Sequence, residues 1–93
     1  PLVLLVEDYP DTRELYRHVL TVRGYRVEEA EDGAQGIGKA RSLRPALILM
    51  DLSLPEIDGW TATRILKSDP STAQVPIIVV SAHVLDVERR RAE

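Results

Sequence analysis

The sequence predicts an α/β fold, a parallel sheet with helices on its faces, built from repeated strand–helix units. Three observations carry this. Short apolar runs recur at residues 2–6, 25–27 with its flanks, 46–50 and 77–80. Two of them, Leu-Val-Leu-Leu-Val and Ile-Ile-Val-Val, are continuous rather than alternating, the pattern of strands buried on both faces. Each run is followed within a few residues by a segment of helical spacing, which implies right-handed crossovers between parallel strands.

The first strand is the run at 2–6. The first helix follows, with Leu15, Val19 and Val22 in one stripe beside Tyr16 and Leu20, while Arg13, Arg17 and His18 fall elsewhere. Pro10 suits a first helical position, Asp11 with Glu14 has capping-box spacing, and Gly24 ends the helix. Tyr25-Arg26-Val27-Glu28 alternates, as an edge strand with one wetter face does. A second helix spans about 33–43 with Ala34, Ile37 and Ala40 inward, and Gly36 and Gly38 each cost it about 1 kcal/mol relative to Ala. The third strand is the run at 46–50. A third helix spans about 58–67 with Trp60, Ile65 and Leu66 inward, stopping before Pro70. After the strand at 77–80, a fourth helix begins near Val84 and runs to the last residue without a stop signal.

Composition narrows the function classes. The 93 residues suffice for one domain, with 44% hydrophobic and 29% charged residues, a globular balance. No cysteine is present, which excludes disulfides, thiolate metal sites and cysteine nucleophiles. The 12 Lys+Arg against 15 Asp+Glu give a net charge of −3, which argues against direct nucleic-acid binding, as do four aromatics with no Phe. No apolar stretch is long enough to span a membrane, and a small domain without disulfides suits the cytoplasm.

In a parallel sheet of this kind, ligands bind at the C-terminal strand edge, so the residues ending each strand describe the site. The first strand ends in Val6-Glu7-Asp8, the third in Met50-Asp51-Leu52-Ser53 and the fourth in Val80-Ser81-Ala82. Three carboxylates and a hydroxyl thus converge on one rim. Two carboxylates about 5 Å apart repel by roughly 3 kcal/mol at an effective dielectric near 20, so three must take up protons or a cation. Oxygen ligands without His or Cys select Mg²⁺, or else Mn²⁺, over zinc. Such an ion works beside phosphate, and an aspartate can accept a phosphoryl group. Acids at strand ends also serve as helix caps, but two buried strands ending in acids and a third in Ser81 favour a site. No Gly-rich loop with Lys-Ser/Thr is present, which excludes a P-loop, and Gly33, Gly36 and Gly38 have the wrong spacing for a dinucleotide fold. A toprim-like nuclease would carry a second Asp where Ser53 stands.

The chain resembles the receiver domain of bacterial response regulators, the phosphoacceptor module of two-component signalling. The resemblance rests on Val6-Glu7-Asp8, Glu31-Asp32-Gly33, Leu49-Met50-Asp51-Leu52, Leu54-Pro55-Glu56-Ile57-Asp58-Gly59 and Pro76-Ile77-Ile78-Val79-Val80-Ser81-Ala82, in order. It implies a flavodoxin-like, doubly wound parallel sheet of order 2-1-3-4-5, of which residues 1–93 supply four βα units in the order 2-1-3-4. Asp51 is then the aspartate that takes the phosphoryl group from a histidine kinase or phosphotransfer protein. Glu7 and Asp8 are the acidic Mg²⁺ pair, with Glu where many members have Asp, and the Ser53 backbone carbonyl is a further ligand. Ser81 contacts the phosphoryl oxygens, and the 13–20 face of the first helix is where the kinase docks. The module catalyses its own phosphorylation and slow dephosphorylation and is not an enzyme acting on a metabolite. Tyr9 and Pro10 shape the first loop.

The family's fifth strand, its lysine and its fifth helix are not among these residues, and the only lysines, Lys39 and Lys67, fall on helices away from the rim. The domain is therefore expected to be incomplete at its C-terminus, with self-association through the exposed edge of the fourth strand. The alternative function is a phosphorylation-independent module that acts by interaction or dimerisation. His18, His83 and Arg89-Arg90-Arg91 read as solvated or structural.

Overall fold

The computed structural model of this chain describes residues 1–80. Its elements are β1 (Leu2–Val6), α1 (Pro10–Val22), β2 (Arg26–Ala30), α2 (Gly33–Leu43), β3 (Leu47–Asp51), α3 (Gly59–Ser68) and β4 (Ile77–Val80). The strands form one parallel sheet in the order β2-β1-β3-β4, as expected. The expected fourth helix, together with Ser81, His83 and Arg89-Arg90-Arg91, lies outside the described residues. None of the described helices is long and apolar enough to cross a membrane.

β1 lies inside the sheet, and Val3, Leu4, Leu5 and Val6 are each no more than 1% exposed. Its continuous apolar run is what two covered faces require. Leu4 and Val6 pack with Ile48 and Met50 of β3, Ile37 and Ala40 of α2, and Ala62 and Leu66 of α3 in one cluster. By strand alternation Val3 and Leu5 point to the opposite face, on which right-handed connections set α1.

The helices meet the sheet differently from the sequence expectation. In α1 no residue is fully buried, and Leu15, Val19 and Val22 are 61%, 42% and 72% exposed. Thr12, Arg13, Tyr16 and Leu20 are its half-buried side chains. The apolar stripe exists, but α2 and α3 both lie on the other face, so no second described helix covers it. Tyr9 is the N-cap and makes no side-chain cap, so α1 starts on Pro10 rather than on an Asp11–Glu14 box. Gly24 ends it as expected, with Gly24 N–H bonded to the Thr21 carbonyl and Tyr25 N–H to that of Leu20.

In α2, Ala34 is exposed, and the inward face is Gly33, Gly36, Ile37 and Ala40. Gly36 is contact surface rather than mere cost: a Cβ there would lie 2.8 Å from a methyl of Val6. In α3, Trp60 is 58% exposed, whereas Ala62 and Leu66 are buried and Ile65 half-buried. Asp58 precedes this helix as its N-cap and accepts the Thr61 N–H at 2.7 Å.

β2 is an edge, as its alternation implies, and runs further than expected, through Glu28 and Glu29 to Ala30. Lys39 closes over it, with Nζ donating to Glu28 Oε1 at 3.0 Å and to the Glu29 carbonyl. Lys67 donates to the Ala73 and Val75 carbonyls, so both lysines are engaged away from the acidic rim. β4 bonds only to β3 among the described strands, and Ile78 is 50% exposed. Burial on both faces, expected for this run, is not seen among the described residues.

Candidate functional site

The chain leaves β1 toward β2 on one side and returns to β3 on the other, so the direction of winding reverses between β1 and β3. Crevices at such reversals, at the C-terminal strand ends, are where open α/β sheets bind ligands. Glu7 and Asp8 follow β1, and Asp51 ends β3. Strand register carries them together: Val6 pairs with Met50, and Glu7 N–H extends the ladder to the Ala30 carbonyl at 3.0 Å.

One carboxylate oxygen each of Glu7, Asp8 and Asp51 lies within 4.8 Å of the others. Glu7 is 1% exposed, Asp51 is fully buried and Asp8 is half-buried. Glu7 Oε2 accepts the Tyr9 N–H at 3.1 Å, and Asp51 Oδ1 accepts the Ser53 N–H at 3.2 Å. Glu7 Oε1 is buried without an N–H or cationic donor among the described residues. Burial pushes the Glu7 carboxyl up to about 8, the Tyr9 N–H offsets part of this, and Asp51 and Asp8 raise it further. Glu7 therefore keeps a proton near neutral pH where no cation takes its place. Burial, and then the charges of Glu7 and Asp51, raise the Tyr16 hydroxyl as well. A compact, buried, all-oxygen donor set of this charge fits a hard divalent cation such as Mg²⁺.

The loop from Asp51 to α3 folds back onto the site. Gly59 N–H bonds to the Leu52 carbonyl at 3.0 Å, and a Cβ on Gly59 would fall 2.2 Å from the Asp51 carbonyl oxygen. No other residue type fits there without moving β3. Leu54 is buried beneath this loop, and Ile57 N–H bonds to the Pro55 carbonyl at 2.7 Å. Trp60, next to Gly59, is 58% exposed.

Of the residues named from sequence, Glu7, Asp8 and Asp51 come together. Ser53 is exposed in the adjacent loop and holds Asp51 by its amide. Ser81 lies outside the described residues. His18 is exposed on α1. One residue at the site was not legible as such: Arg13, whose Nη1 donates to the Glu7 carbonyl at 3.0 Å. A usable signal was its place one turn into the helix after Glu7-Asp8, with Glu28, Glu29 and Glu31 in the neighbouring strand and turn.

A family-wide sequence profile, described as the response regulator receiver domain, matches residues 3–92. The chain belongs to this family. Among curated relatives of the receiver domain, the DNA-binding dual master transcriptional regulator RpaA of Synechocystis is 38% identical over 82 residues, 88% of this chain and 34% of that protein. The polar-differentiation response regulator DivK of Brucella anthropi is 35% identical over 89 residues, 96% of this chain and 72% of that protein. A gliding motility regulatory protein of Myxococcus xanthus is 37% identical, and the match spans only 12% of its length. Among solved structures, the receiver domain of the sensor histidine kinase PA1611 of Pseudomonas aeruginosa superposes with a TM-score of 0.84 at 38% identity, covering 96% of this chain and 73% of that one. That structure has a magnesium ion coordinated in its active-site cleft.

Proposed function

We propose that this receiver domain is a phosphoacceptor that takes a phosphoryl group onto Asp51 from a histidine kinase or a histidine phosphotransfer protein. The observation that carries this reading is the convergence of Glu7, Asp8 and Asp51, with oxygens within 4.8 Å, at the reversal point of the sheet. In the transfer, an Asp51 carboxylate oxygen bonds to phosphorus as the phosphorus–nitrogen bond of the donor phosphohistidine breaks, and the electron pair leaves with the imidazole. Glu7, Asp8 and Asp51, with the Ser53 backbone carbonyl, would hold Mg²⁺, which when bound offsets charge on the phosphoryl oxygens. Ser53 N–H keeps Asp51 oriented. By resemblance, Ser81 contacts the phosphoryl oxygens. The domain promotes its own phosphorylation and slow hydrolysis, turns over no external substrate, and works in the cytoplasm.

The test is Mg²⁺-dependent labelling of the protein carrying this chain by a small phosphodonor. Labelling is expected in the wild type and is abolished in Asp51→Asn; label that persists in that variant removes Asp51 from the role.

A second reading is a phosphorylation-independent interaction module. It is favoured by the half-exposed Ile78 on β4, a strand bonded on one side among the described residues. Self-association measured by light scattering, equal in wild type and Asp51→Asn and accompanied by no labelling, supports it over the first.

A further inference from the structure

Two of the three acids sit on the turn directly after β1, so their place opposite Asp51 depends on how that turn is held. The Glu7 main chain is pinned at both its polar groups. Its N–H bonds to the Ala30 carbonyl at 3.0 Å, and its carbonyl accepts from Arg13 Nη1, also at 3.0 Å. The Arg13 side chain is only 16% exposed. Its Nε lies 3.8 Å from Glu29 Oε1 on β2, and its Nη2 lies 3.8 Å from Glu31 Oε1 in the following turn. One guanidinium thus joins the end of β1, the first turns of α1, the edge strand and the turn that leads to α2.

We infer that Arg13 is a positioning residue for the metal-binding acids, clamping the Glu7 main chain so that Glu7 and Asp8 stay converged on Asp51. This rests on the metal-binding reading above and deepens it. The hydrogen bond goes to a main-chain oxygen, which leaves the Glu7 carboxylate available to a cation. Glu29 and Glu31 hold the guanidinium in place and balance its charge, so that it opposes a second cation less than a bare arginine would. A planar guanidinium reaches three oxygens lying in different directions, which an ammonium group cannot do in the same geometry.

The clamp and the simple field of a nearby charge predict opposite signs. Removing a positive charge beside the acids tightens divalent-cation binding, whereas removing a clamp weakens it. Arg17 supplies the comparison: it pairs with the same Glu29 oxygen at 3.4 Å and is half-exposed, but does not bond to Glu7.

The experiment is calorimetric titration with Mg²⁺ alone, using the protein that carries this chain as wild type, Arg13→Met, Arg13→Lys and Arg17→Met, with thermal midpoints taken beside each. Arg13→Met is expected to weaken Mg²⁺ binding by about 10–100-fold, the usual consequence of losing an outer-shell partner. Arg13→Lys recovers part of the loss, and Arg17→Met leaves binding unchanged or slightly tighter. Unchanged or tighter binding in folded Arg13→Met overturns the inference, even if its thermal midpoint falls. Should Arg13→Met not fold, Arg13→Lys carries the test, because it keeps the positive charge and loses the planar fork; weaker binding than wild type supports the clamp and unchanged binding overturns it. A wild-type protein that takes up no Mg²⁺ overturns the underlying metal reading instead, and is told apart because every variant then gives the same blank titration.

Discussion

Burial moves Glu7 far from its ordinary acidity. Its folded pKa of about 8 lies above the ordinary value of 4.5, so the folded chain binds a proton there that the unfolded chain has released. The stability gained from that neutral carboxyl is complete below the ordinary value, declines as pH rises from it, and is lost once pH passes about 8. Urea denaturation of the metal-free protein is expected to show a falling midpoint across this window, and Glu7→Gln is expected to flatten the dependence. Metal uptake has the opposite slope, because binding a cation requires Glu7 to release its proton. Gly59 sets a second limit at the same site. Gly59→Ala forces a methyl against the Asp51 carbonyl and is expected to cost about 1–3 kcal/mol, read as a lowered thermal midpoint.

Among the elements, α3 and α1 occupy opposite ends of a range. α3 is anchored by Ala62 and Leu66, both fully buried, so Leu66→Ala is expected to cost about 2–5 kcal/mol in chemical denaturation. α1 has no buried residue, and Val22→Thr on its outer face is expected to stay within about 0.5 kcal/mol of wild type. α2 lies between them, with its start fixed by Asp32, which accepts the Gln35 N–H at 2.8 Å. Asp32→Ala should remove about 1 kcal/mol of that support.

At the scale of the whole molecule, much of the plan is readable in the sequence. Continuous apolar runs mark β1 and β4, alternation marks β2 as an edge, and the acids at the ends of β1 and β3 mark the rim. They are readable because a carboxylate directly after a buried strand breaks a hydrophobic pattern, and such breaks stand out. The orientation of helices is less readable. Periodicity shows that α1 has an apolar stripe, but not whether a neighbour covers it, and Leu15, Val19 and Val22 prove to face outward. Gly36 reads as a flaw in a helix until the sheet surface it touches is known. The role of Arg13 beside Glu7 is not readable, because its partners come from β1, β2 and the turn after β2, which only the fold assembles.

The way α1 is attached has a consequence for conditions as well as for residues. One side of the sheet holds its helices by oil, through Ile37, Ala40, Ala62 and Leu66. On the other, Tyr16 and Leu20 of α1 are only half-buried, and ion pairs join the helix to β2 and the turn after it, Arg13 and Arg17 to Glu29 at 3.8 and 3.4 Å and Arg13 to Glu31 at 3.8 Å. At 1 M salt the screening length falls to about 3 Å, close to those separations. Ionic strength should therefore loosen α1 more than α2 and α3, whose buried apolar anchors outweigh their own ion pairs, Lys39 to Glu28 and Arg41 to Asp69. Amide exchange should quicken in α1 with added salt while α2 and α3 keep their protection.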